Sequence, residues 1–142
     1  MKELIYPDEY LRDILRSVKT IAMVGASAKE IRPSFRVMSF LLARGYHVIP
    51  VNPGFAGREI QGQKVYARLA DIGERIDMVD VFRAPSALPG LVEEVLALDP
   101  LPMVLWTQLD VRDDEAAARA VRAGMKVVMD RCPAIEYPRL IG

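Results

Sequence analysis

Ile21-Ala22-Met23-Val24-Gly25-Ala26-Ser27, followed after a short polar loop by Arg32-Pro33-Ser34-Phe35-Arg36, decides how this chain is read. Four apolar residues end in a glycine, a small residue and a serine, and a proline then opens a helical pattern. That order is the grammar of a first strand, a tight turn and a helix N-terminus in a nucleotide-binding α/β domain.

Outward from it, residues 1–19 predict a helix laid outside the core. Asp8 can cap it just after Pro7, and Leu11, Ile14, Leu15 and Val18 form one apolar stripe that can cover the sheet or meet a second copy. Downstream, a helix starts near Pro33-Ser34, buries Val37, Met38, Leu41 and Leu42, and stops at Gly45. Tyr46–Val51 is strand two. Asn52-Pro53-Gly54 breaks the pattern with turn chemistry, and residues 55–75 are irregular, with a small excursion at Ile60–Tyr66 and a single helical turn at Leu69–Ile72. Met78–Phe82, Met103–Trp106 and Lys126–Met129 are strands three, four and five. Helices near Ser86–Leu98 and Asp113–Ala123 join them, and Asp130–Gly142 is a tail. Strands alternating with crossover-length connections predict a Rossmann-like, doubly wound α/β fold, all parallel, in the order 3-2-1-4-5. Residues 1–142 form a single domain with an extra N-terminal helix.

Composition narrows the ligand class. The 19 basic and 19 acidic residues cancel, so no chain-wide field favours nucleic acid or an anionic membrane. The longest apolar runs are too short to span a bilayer, and the charged N-terminus is not a secretory signal. One cysteine and one histidine exclude an internal disulfide and argue against a Cys- or His-rich metal site, which fits a cytoplasmic protein. Any anion site must be local.

The loop after strand one supplies it. Gly25 permits close backbone approach, Ala26 keeps the path open, and Ser27 offers a hydroxyl and an amide. The amides at the start of the Ser34 helix face the same space, where the helix dipole favours negative charge. Lys29, Arg32 and Arg36 add three cations. A dinucleotide site wants G-x-G-x-x-G, but Ser27 stands at the second glycine and Glu30 at the third. An NAD site also wants an acid at the end of strand two; this chain has Val51-Asn52-Pro53. No carboxylate there repels a phosphate on the ribose, so 3′-phosphorylated ADP, the head of coenzyme A, fits better than NAD.

Val24-Gly25-Ala26-Ser27, Val51-Asn52-Pro53, Asp80-Val81-Phe82-Arg83, Trp106-Thr107-Gln108 and Val128-Met129-Asp130-Arg131-Cys132-Pro133 together resemble the small stand-alone bacterial CoA-binding proteins. These are similar to the N-terminal CoA-binding domain of the succinyl-CoA synthetase alpha subunit. The resemblance spans nearly the whole chain and implies CoA across the C-terminal strand ends. It implies Gly25, Ala26, Ser27 and Arg36 at phosphates, Asn52 and Pro53 beside the adenosine, and Phe82 and Arg83 along the wall. Many members carry a lysine where this chain has Gly54, a loss that Arg58 would have to make good. The synthetase's second domain, with its phosphorylated histidine, is absent, so ligase chemistry does not carry over.

Other residues have two readings. Trp106, where strand four ends, can stack on adenine or pack a pantetheine arm, or it can fill the core; Phe82 divides the same way, and Gln108 lies beside the switch point. Asp80, inside an apolar strand, needs a partner such as Arg131. Cys132 has no neighbouring histidine to activate it and reads as packing; His47 reads as structural. The leading expectation is a module that binds CoA or an acyl-CoA as carrier or regulator, with no complete catalytic set. The alternative is an NAD(P)-binding redox sensor or small oxidoreductase. A ligand-free interaction protein and a CoA-using acyltransferase or thioesterase are further readings, the last lacking a visible base.

Overall fold

The structure, a computed structural model, describes residues 3–142. Its centre is a five-stranded parallel sheet of β1 (Thr20–Val24), β2 (His47–Val51), β5 (Met78–Val81), β6 (Val104–Thr107) and β7 (Lys126–Val128). A two-stranded hairpin, β3 (Glu59–Ile60) and β4 (Gln63–Lys64), stands apart. The helices are α1 (Asp8–Ser17), α2 (Pro33–Ala43), α3 (Leu88–Leu96), α4 (Asp114–Arg122) and α5 (Pro133–Leu140).

Side chains alternate across each strand, and both faces are apolar, as a sheet covered on two sides requires. Ile21, Met23, Met78, Trp106 and Val128 face α1, α2 and α5. Ala22, Val24, Val79, Leu105 and Val127 face α3 and α4. The doubly wound, Rossmann-like class is as the alternation predicts.

The strand order is not the expected 3-2-1-4-5. It runs β2-β1-β5-β6-β7, so the third strand of the sheet pairs with the first instead of adding outside the second. Pro50 gives the reason. It has no N–H, its carbonyl accepts from Tyr66 N on the outer side, and a strand carrying proline belongs at an edge. That edge is covered by residues 65–66, where Val51 and Tyr66 form an isolated parallel bridge. The irregular excursion therefore occupies the place reserved for strand three. This 2-1-3-4-5 arrangement puts the switch point between β1 and β5.

Two smaller expectations also change. Asp8 does not cap α1: the N-cap is Pro7, and Asp8 is the first helical residue, its charge near the positive end of the dipole. The tail contains α5, opened by Pro133 at its first turn. The stripe of α1 is spent within the chain, with Leu11, Ile14, Leu15 and Val18 all in the core. Tyr10 Oη donates to Val127 O, and Arg12 Nε donates to Leu140 O. Arg139 pairs with Asp8 of α1 and Glu136 of α5.

Candidate ligand-binding cleft

Gly25 sets the geometry at the end of β1. Its φ is +87°, and a Cβ added there would lie 2.3 Å from Phe82 O. Only glycine permits that approach. Gly25 N donates to Val51 O and Phe82 N to Val24 O, so the ends of β2, β1 and β5 are tied together. Between the loops that leave them opens a cleft of about 420 Å³, lined by Gly25, Ala26, Ser27, Lys29, Arg32, Pro33, Ser34, Asn52, Phe82, Arg83, Gln108 and Val111.

The β1–α2 loop is braced from within. Ser27 N donates to Ser34 Oγ (3.1 Å) and Lys29 N to Ser27 Oγ (3.1 Å). The Ser27 amide, expected to face a phosphate, is thus taken up by the loop itself. Both serine hydroxyls act as acceptors here and keep their own protons to donate. The N-cap of α2 is Arg32, which makes no side-chain cap, so the first turn leaves its end of the helix dipole to the cleft. Asn52 braces the other wall: its Nδ2 donates to Ala26 O (2.8 Å) and its Oδ1 accepts from Gly54 N (2.9 Å).

Of the residues singled out from sequence, Gly25, Ala26, Ser27, Lys29, Arg32, Ser34, Asn52, Phe82, Arg83 and Gln108 meet in this cleft. The order of the sheet explains why: with β5 beside β1, Phe82 and Arg83 stand next to Gly25. Pro53 lines a second cavity of about 390 Å³ with Val24, Leu69, Leu91 and Arg68, and Arg83 belongs to both cavities. Arg36 is exposed on α2 outside the cleft lining.

Trp106 is fully buried and its Nε1 donates to Arg131 O (2.9 Å), so the structure places it in the core, not on the cleft wall. Arg58 stacks over Phe55 and lines neither cavity. Pro33 and Val111 were missed. Pro33 could have been found as the helix-opening residue of the loop, whereas Val111 reaches the cleft only through the curl of the β6–α4 connection.

Asp80 lies on β5 between Met23 and Trp106 in register. It is fully buried, with neither oxygen hydrogen-bonded among the described residues. Burial pushes its carboxyl up to about 8. Arg131 is not its partner: that guanidinium donates to Asp130 O and Leu4 O. Cys132 is buried at the N-cap of α5, and His47 stands on the surface 3.1 Å from Glu74.

The cleft lining combines cations, hydroxyls and apolar side chains. Lys29, Arg32 and the two serines come to the cleft from the β1–α2 loop, Phe82 and Arg83 from the end of β5 and Val111 from the β6–α4 connection, and none of the twelve lining residues is acidic. Three cations with no acid suit an anionic ligand.

The sequence model of the CoA binding domain family matches residues 19–138. The chain is 38% identical over 122 residues to the uncharacterized protein YneT of Bacillus subtilis (strain 168), covering 86% of this chain and 87% of that one. A solved Thermus thermophilus protein, cell-free ID.343, superposes with a TM-score of 0.90 at 43% identity, covering 96% of this chain and all of the other. The alpha subunit of the ADP-forming acetate–CoA ligase I of Pyrococcus furiosus is 31% identical over 86 residues, 58% of this chain but only 19% of the subunit.

Proposed function

The chain belongs to the CoA binding domain family, and from that premise we propose that it binds coenzyme A or an acyl-CoA as a carrier or regulatory module without ligase chemistry of its own. The observation that carries this reading is the cleft lining, which brings Lys29, Arg32 and Arg83 together with no carboxylate. A site for an unphosphorylated adenosine ribose is served by an acid that grips the hydroxyls. Here the end of β2 presents Asn52, already committed to holding Ala26 and Gly54. A 3′-phosphate meets no repulsion there.

In this reading the pyrophosphate lies against the β1–α2 loop, where the protons of Ser27 and Ser34 and the cations of Lys29 and Arg32 are available. The adenosine lies toward Asn52 and Pro53, with Arg83 between the two cavities. The pantetheine arm runs along Phe82 and Gln108. The lining holds no histidine, cysteine or carboxylate to serve as a general base for acyl transfer. The ligase activity of the Pyrococcus relative belongs to a subunit of which this chain matches a fifth.

Isothermal titration tests the assignment. CoA should bind with micromolar affinity or better, and dephospho-CoA about ten-fold more weakly, one charge-assisted contact being worth roughly 1.5–3 kcal/mol. Equal affinity for NAD would replace the CoA reading with a dinucleotide one.

A further inference from the structure

β7 is the last strand of the sheet, and on its outer side no strand lies beside it. Lys126 N donates inward to Met103 O. Backbone groups alternate in direction along an extended strand, so those of Val127 and Met129 point outward. A row of this kind is a template for a further strand. Here side chains fill it. Tyr10 Oη accepts from Val127 N (3.0 Å) and donates to Val127 O (3.1 Å), while Tyr6 Oη accepts from Met129 N (2.9 Å). A phenol both donates and accepts, so Tyr10 does for Val127 what a residue of a paired strand would do. The two rings stack with their centres 6.0 Å apart, and the Arg131 guanidinium lies 5.2 Å from the centre of the Tyr6 ring. Arg131 also holds this segment by donating to Leu4 O (2.6 Å).

The cover comes from outside the strand it closes. Both tyrosines precede residue 19, where the match to the family begins. The opposite edge of the sheet is closed differently, by Pro50 within β2 and by the bridge from Val51 to Tyr66. β7 holds no proline. We propose that the outer edge of β7 is a pairing surface for a second copy of this chain, held shut by the hydroxyls of Tyr6 and Tyr10. Antiparallel pairing about a two-fold axis at Val128 sets Val127 of one copy against Met129 of the other. Each outward N–H then meets a carbonyl, and both copies use the same groups, as an isologous contact requires. Charge selects this arrangement. Lys126 stands at one end of the segment and Asp130 at the other. Antiparallel pairing brings the lysine end of one copy to the aspartate end of its mate, whereas parallel pairing would set like charges together. The net charge of zero leaves no long-range repulsion to keep two copies apart.

Two variants test this, followed by sedimentation and by amide hydrogen exchange. Tyr6→Phe/Tyr10→Phe removes the hydroxyls and keeps the rings; Tyr6→Ser/Tyr10→Ser clears the rings from the edge as well. The parent should sediment as a monomer over about a hundred-fold range of concentration, with the Val127 and Met129 amides protected throughout. Each variant should exchange those two amides about ten-fold faster when dilute. As its concentration rises it should pass to a dimer in which their protection returns. Adding Lys126→Glu puts like charges at both ends of the pairing and should weaken that dimer about ten-fold. Variants that stay monomeric at the highest concentration would overturn the proposal, leaving the edge to water or to strands of other proteins. A dimer in which the two amides remain fast, or one that ignores Lys126→Glu, would overturn it too, because another surface would then be joined. So would a dimeric parent, since the hydroxyls would not be holding the edge shut. If the serine variant fails to fold, the phenylalanine variant decides by the same readings.

Discussion

Asp80 sits in the middle of β5 with apolar neighbours and no partner among the described residues, so it makes a sharp statement about pH. Its carboxyl is raised from 3.8 to about 8 by burial. Between those values the folded chain holds a proton that the unfolded chain has lost, so stability falls as pH rises through the window and levels off above about 8. Each unit of pKa is worth about 1.4 kcal/mol, and the whole effect is of the order of 5 kcal/mol. Asp80→Asn removes the titration. Urea unfolding at several pH values from 5 to 8.5 should show a falling midpoint for the parent and a much flatter line for the variant; parallel lines would contradict the assignment. At this scale the sequence was legible where a role is local. Gly25 must be glycine because of the backbone it bends, and that need is visible in the strand–Gly–Ser–loop order. Trp106 and Asp80 were not legible, because what each side chain meets depends on Arg131 and on helices distant in sequence.

Among the elements, α1 stands out because it lies outside the matched family segment, residues 19–138, yet fills part of the core. Leu11, Ile14, Leu15 and Val18 are each 2% exposed or less. Burying such side chains contributes about 1.5–3 kcal/mol apiece, and the four together rival the whole stability of a typical domain, about 5–15 kcal/mol. A chain beginning at residue 19 should therefore lose its cooperative thermal transition in circular dichroism, whereas a separate α1 would leave the melt unchanged. The helical stripe predicted α1 itself, but its destination required knowing that α5 exists. Pro133 and Pro138 disguised that helix as a tail, although proline in a first turn is where a helix tolerates it. The edge position of β2 was legible in principle from Pro50 alone.

Over the whole molecule, net charge is zero while Lys29, Arg32 and Arg83 line one cleft, so local and global electrostatics separate. Bulk self-repulsion is small, and added salt should change the melting temperature of the free protein little. CoA, a polyanion, is attracted only by the cluster, whose cations are exposed and hence screened over about 10 Å at 0.1 M salt. Ligand at a hundred times its dissociation constant adds about 2.7 kcal/mol of stability, which for a chain of this length is a rise of roughly 8 °C in melting temperature. Thermal unfolding with CoA at fixed concentration should show that rise shrinking steadily between about 0.05 and 0.5 M salt, the ions screening the cluster, while the unliganded curve barely moves. A shift by CoA that ignores salt would mean that apolar contacts, not the cationic loop, hold the ligand, and would move the centre of the site from the β1–α2 turn to the wall formed by Phe82 and Val111.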